Sequence, residues 1–154
     1  MLVTAGLGKR YGSRWLFRNL SFQLERGDKL VVLGRNGSGK STLLKVLAGL
    51  IAPTAGTVDA GGPLREVLGY AALDLALYPE LTAPEHLELS AALRGCEANA
   101  ESLLERVQLT VPRDLVAKRF SSGQRMRLKI ALAIQHNPNV LILDEPTAGL
   151  DENG

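Results

Sequence analysis

Several kinds of residue and pattern are scarce in this sequence, and each scarcity removes a class of protein. A single cysteine, Cys96, rules out an internal disulfide framework and fits a reducing compartment. No long hydrophobic run is present. The most apolar window, residues 43–52, carries Lys45 and Gly49 and is far shorter than the roughly 20 residues a membrane span requires. The first ten residues lack a basic start followed by an apolar stretch and do not read as a signal peptide. Neither sign of charge dominates, because 18 Lys plus Arg against 16 Asp plus Glu leaves +2. The basic residues are scattered, so composition gives no case for a nucleic-acid partner. Internal repeats and low-complexity linkers are also missing. What is there is ordinary: 45% hydrophobic and 22% charged residues over 154 positions imply one folded domain with a core.

Hydrophobic periodicity divides the chain into recognisable elements. Residues 2–11 and 15–24 read as an antiparallel pair around Gly12-Ser13, with Leu16, Leu20, Phe22 and Leu24 in partial alternation. Residues 29–33 form a continuous apolar run, the pattern of a strand buried on both faces in mid-sheet. A helix is predicted over 41–50, a turn-rich stretch over 54–62 and a strand over 67–73. Thr82-Ala83-Pro84-Glu85 is a capping box opening a helix that Gly95 ends, and a further helix is predicted over 98–109. Ser121 and Gln124 precede a longer helix running to about residue 135, and 140–143 is a second apolar strand.

The sharpest motif is Gly34-Arg35-Asn36-Gly37-Ser38-Gly39-Lys40-Ser41-Thr42, a Walker A pattern between an apolar run and a helix. Glycines let successive backbone N–H groups face phosphate oxygens, and the helix N-terminus adds its positive end. Lys40 reaches the β and γ phosphates, and Ser41 offers its hydroxyl to Mg²⁺. A chance match somewhere in the chain has a probability of roughly 0.006, before the flanking elements are required. Asp144 and Glu145 close the strand at 140–143, giving a Walker B pattern in which one carboxylate serves the metal and the next orients water.

With Ser121-Ser122-Gly123-Gln124 lying between these two patterns, the sequence resembles the nucleotide-binding subunit of an ABC transporter over residues 2–151. Ser122 stands where the family's signature usually has a first glycine. The resemblance implies an α/β P-loop NTPase fold of ABC type. That fold has a mixed-sheet core, an N-terminal antiparallel β-subdomain and an α-helical subdomain. A single domain over 1–154 is implied, with a β-rich phosphate-loop part at 1–72. A helical part up to the signature follows at 73–124, and 125–154 carries the signature helix, Walker B and D-loop.

Further roles follow from the same resemblance. Tyr11 is the aromatic that stacks on adenine, and residues 34–42 hold ATP. Ser41 and Asp144 take Mg²⁺, while Lys40 and Glu145 serve hydrolysis. Ser121, Ser122, Gly123 and Gln124 reach the ATP of a second ATP-binding subunit, identical or related, and Asp151 of Ala148-Gly149-Leu150-Asp151 lies at that junction. A separate polytopic membrane permease is implied as a partner, holding the chain on the inner face of the cell membrane. Residues 77–82 are similar to export-type subunits, among them the haem-exporter ATPases of cytochrome c maturation.

Two departures stand against the family pattern. Leu73 occupies the place of the Q-loop glutamine, and an apolar side chain cannot contact metal or water. The switch histidine belongs after the D-loop; His86 and His136 both precede it, so a C-terminally incomplete cassette is expected. Two alternatives to a transport ATPase stay open: a soluble ABC-type ATPase, and a module that holds ATP with impaired hydrolysis.

Overall fold

The N-terminal hairpin organises the first of two compact units, residues 1–68 and 69–154, in a computed structural model that describes residues 1–146. Strands β1 (Leu2–Tyr11) and β2 (Arg14–Leu24) pair antiparallel from Leu2↔Leu24 to Tyr11↔Arg14, as the alternation predicts. Leu2, Thr4 and Leu7 of β1 are buried, and the Thr4 hydroxyl accepts from the Phe22 N–H at 3.0 Å. Helix α1 (Lys40–Leu47) buries Val46 and Leu47. The chain leaves it through Gly49, which has a positive φ.

Two expectations for this unit need correction. The stretch 54–62 is not turn throughout, because β3 (Ala55–Asp59) joins the free edge of β1 antiparallel, giving the order β2-β1-β3. Its Gly and Thr content masked a ladder that β1 templates from Val3↔Asp59 to Gly8↔Ala55. The apolar run 29–33 is not a buried mid-sheet strand: it joins no ladder among the described residues, and Leu33 is 86% exposed. An apolar strand pattern states what a partner strand would cover, and pairing itself depends on that partner. A single short turn of helix, α2 (Leu64–Val67), follows β3.

The second unit carries a two-stranded sheet of β4 (Leu68–Ala72) and β5 (Val140–Asp144) with three helices, α3 (Ala83–Arg94), α4 (Ala100–Arg106) and α5 (Ser122–Ile134). A 3-10 turn, Ala117–Arg119, leads into α5. The core gathers Ala83 and Leu87 of α3, Val107, Leu109, Ala117 and Phe120 of the connections, and Leu128 and Ala131 of α5. Leu87 and Leu128 are wholly buried, each stabilising the unit by roughly 1.5–3 kcal/mol through area removed from water. Gly69 lets β4 meet α5 closely, since a Cβ there would stand 2.1 Å from the Ala133 carbonyl oxygen.

The capping box predicted at Thr82 forms, and a second one opens α5. The Thr82 hydroxyl accepts from the Glu85 N–H, and the Glu85 carboxylate accepts from the Thr82 N–H at 2.7 Å. Its α5 counterpart joins Ser121 and Gln124 in the same way, at 3.2 and 2.9 Å. These pairs satisfy N–H groups that a helix start otherwise leaves without partners.

Candidate functional site

In the first unit the phosphate loop is held by its own backbone. Gly37 and Gly39 take left-handed φ values of 77° and 96°, a region costly for side-chain-bearing residues, and Gly39 is the N-cap of α1. The Ser38 N–H donates to the Arg35 carbonyl at 3.2 Å, and the Leu43 N–H to the Gly39 carbonyl at 2.8 Å, where the first helical turn closes. Lys40 folds back over the loop, its ammonium donating to the carbonyls of Gly34 at 2.9 Å and Arg35 at 3.1 Å. A glycine cradle, a helix N-terminus and a cation thus share one short segment, a combination suited to an anion bearing several phosphates. Ser41 is exposed on the first turn, ready to offer its hydroxyl, and Thr42 is half-buried.

Tyr11 closes β1 with an exposed ring, and the Lys9 ammonium lies 5.2 Å from its centroid. An exposed aromatic face beside a cation offers stacking area for a planar base. Leu16 of β2 packs near the loop, because a Cβ built on Gly39 would meet its side chain at 3.4 Å.

The second unit holds the remaining predicted residues up to Glu145. Ser121 and Gln124 are tied together as the cap of α5, and Ser122 and Gly123 form its first turn. Asp144 is buried at the end of β5. Glu145 is exposed and adopts φ 52°, a left-handed conformation that non-glycine residues enter at a cost of roughly 1–2 kcal/mol. Strain of this kind concentrates where a side chain must be aimed. Burial pushes the Tyr70 phenol up, and the carboxylates of Asp144 and Asp74 reinforce it, so a neutral hydroxyl neighbours the metal-site candidate. Asp151 lies outside the described residues.

Leu73 is exposed although its side chain is apolar, and its backbone is engaged. The Lys129 ammonium of α5, only 5% exposed, donates to the Leu73 carbonyl at 2.5 Å. Sequence reasoning missed Lys129, although a signal existed: it sits on the helical stripe with Met126 and Ala133, both buried. His86 is structural. Its Nδ1 lies 2.7 Å from the Thr82 carbonyl, which it serves as donor, while Nε2 accepts from the Tyr78 N–H at 3.0 Å. Beside it lies a cavity of about 350 Å³ lined by Tyr70, Leu77, Tyr78, Leu93 and Lys129 among others.

Comparison with known proteins identifies the family. A family profile described as ABC transporter matches residues 17–148. The chain is 40% identical over 159 residues to the cytochrome c biogenesis ATP-binding export protein CcmA of Nitrosococcus oceani, covering 98% of this chain and 74% of that protein. It is 34% identical over 164 residues to the linearmycin resistance ATP-binding protein LnrL of Bacillus subtilis, covering 98% of this chain but only 53% of the relative. The chain therefore spans about three quarters of the first relative and about half of the second. Among solved structures, an ATP-binding cassette captured as a dimer in a post-hydrolysis state with ADP and phosphate superposes with a TM-score of 0.85. That match has 25% identity and covers 99% of this chain and 77% of that one.

Proposed function

The chain belongs to the ABC transporter family, and we propose that within it this protein is the ATP-binding and ATP-hydrolysing subunit of an exporter whose membrane permease is a separate chain. One observation carries the proposal: a phosphate loop with left-handed Gly37 and Gly39 opens α1, and the Lys40 ammonium lies across its carbonyls. Export is supported by the relative from Nitrosococcus oceani, a cytochrome c biogenesis ATP-binding export protein.

The residues divide the work by chemistry. Tyr11 stacks on the base, and the amides of residues 34–42 bind phosphate oxygens. Lys40 leaves the loop carbonyls for the β and γ phosphates, countering the charge that develops as the terminal phosphoryl group transfers. The donor set fits magnesium, a hard cation that prefers oxygen: the exposed Ser41 hydroxyl and the Asp144 carboxylate. Bound magnesium would neutralise phosphate charge. Glu145, held in its left-handed conformation, orients the attacking water. The Ser121 cap and α5 N-terminus present N–H groups to the ATP of a second subunit, and the dimeric cassette among the structural relatives supports that pairing.

Among the described residues no helix is long and apolar enough to cross a membrane, so the transport reading requires a permease. The surface of residues 82–109 is proposed to meet it, where Leu93 is 77% exposed beside the cavity. Purification from membranes in mild detergent tests this. A polytopic membrane protein is expected to accompany the chain, and its reproducible absence would overturn the transport function. Leu73 favours a second reading, an ATP-holding module without turnover, which direct measurement of hydrolysis separates from the first.

A further inference from the structure

The loop that leaves β4 has an apolar side chain at Leu73 and a side-chain anchor on the backbone there. Lys129 lies in the third turn of α5, eight residues after the Ser121 cap, or roughly 12 Å along the helix. The residue is buried, lines the cavity beside His86, and its ammonium ends on the Leu73 carbonyl. Burial pushes the Lys129 pKa down; the Asp74 carboxylate opposes that shift and Arg125 adds to it. A buried ammonium is costly, and one hydrogen-bonded to a backbone carbonyl beside a carboxylate is the arrangement that makes it tolerable. Within the same turn the Leu75 N–H donates to the Ala72 carbonyl at 3.3 Å.

We propose that Lys129 is a positioning residue: through the Leu73 carbonyl it ties residues 73–76 to the helix that begins at Ser121, so that the loop and the signature move as one piece. The two ends of this link are a helix cap that faces nucleotide in the proposed function and a loop whose residue 73 carries no polar side chain. A rigid helix between them transmits a shift at either end, which an apolar residue at 129 would not do. The consequence for turnover rests on the ATPase reading; the mechanical link does not.

Hydrogen exchange and ATP turnover, measured together on the purified protein, test the proposal in the wild type, Lys129→Met and Lys129→Arg. Methionine matches the buried stem and removes the donor; arginine keeps a cationic donor. In Lys129→Met, the amides of residues 73–77 are expected to exchange about tenfold faster, while those of 128–134 stay unchanged. Turnover is expected to fall about tenfold with KM for ATP within about twofold, and Lys129→Arg to recover most of both effects. Should Lys129→Met fail to fold, Lys129→Leu, which likewise has no donor, provides the same comparison. Wild-type exchange at 73–77, wild-type turnover with a loosened loop, or an arginine variant no better than methionine would overturn the assignment. A wild-type protein without turnover sinks the ATPase reading instead, and the exchange data still decide the lysine link.

Discussion

The two units reach functional geometry by opposite means. In residues 1–68 the phosphate loop is a backbone device, with left-handed glycines, a helix start and one lysine bonded to two carbonyls. In the second unit the geometry comes from side chains: two reciprocal capping boxes, a buried cluster around Leu87 and Leu128, and a lysine reaching across to a loop. Backbone devices are sensitive to Cβ atoms and tolerant of neighbouring packing. Side-chain devices behave the other way round.

That contrast is broken most severely by a core truncation. Leu87→Ala removes a wholly buried side chain and is expected to cost about 2–5 kcal/mol, read as a lower urea midpoint for the helical signal. ATP affinity, set by the loop's own backbone, should stay within about twofold for the folded fraction. A collapse of affinity would show that the two devices are not separable.

Gly39→Ala tests the other side with a smaller effect. A side chain at φ 96° costs roughly 1–2 kcal/mol, and the new Cβ meets Leu16 at 3.4 Å, an ordinary contact that adds little to that strain. The loop relieves this strain by leaving the cradle conformation, so ATP affinity should weaken about 5–30-fold. Equilibrium binding of a fluorescent ATP analogue measures it, and unchanged affinity would remove the backbone account.

Thr82→Ala is the mildest, at about 1 kcal/mol for a lost helix cap. Its pH dependence sharpens the assignment. The backbone N–H of Thr82, then its hydroxyl, hold the Glu85 carboxyl below its ordinary range. A depressed carboxylate pKa gives stability that is full above the unfolded value and disappears as pH falls through the folded one. Acid should therefore narrow the gap between wild type and variant, and urea titrations at neutral and acid pH would reveal a constant gap if the cap were not responsible.

Legibility in the sequence followed the same division. The Walker A loop, the capping box of α3 and the hairpin were readable because each is a local rule about which residue type tolerates which backbone. Strand β3 was not, since its Gly-Thr text resembles a turn until β1 supplies an edge. Residues 29–33 carried the pattern of a buried strand without the ladder that pattern anticipates. Lys129 was hidden because its meaning depends on a carbonyl 56 residues away. Leu73 was readable as a departure, and only the fold shows that the backbone at that position is held.

The central claim is that this protein hydrolyses ATP with Glu145 orienting the water, and parallel measurement of binding and turnover tests it most directly. For Glu145→Gln against wild type in MgATP, the account predicts ATP affinity within about twofold and turnover reduced about 100-fold or more. Turnover equal in the two proteins, or ATP bound by wild type with no hydrolysis at all, would contradict it.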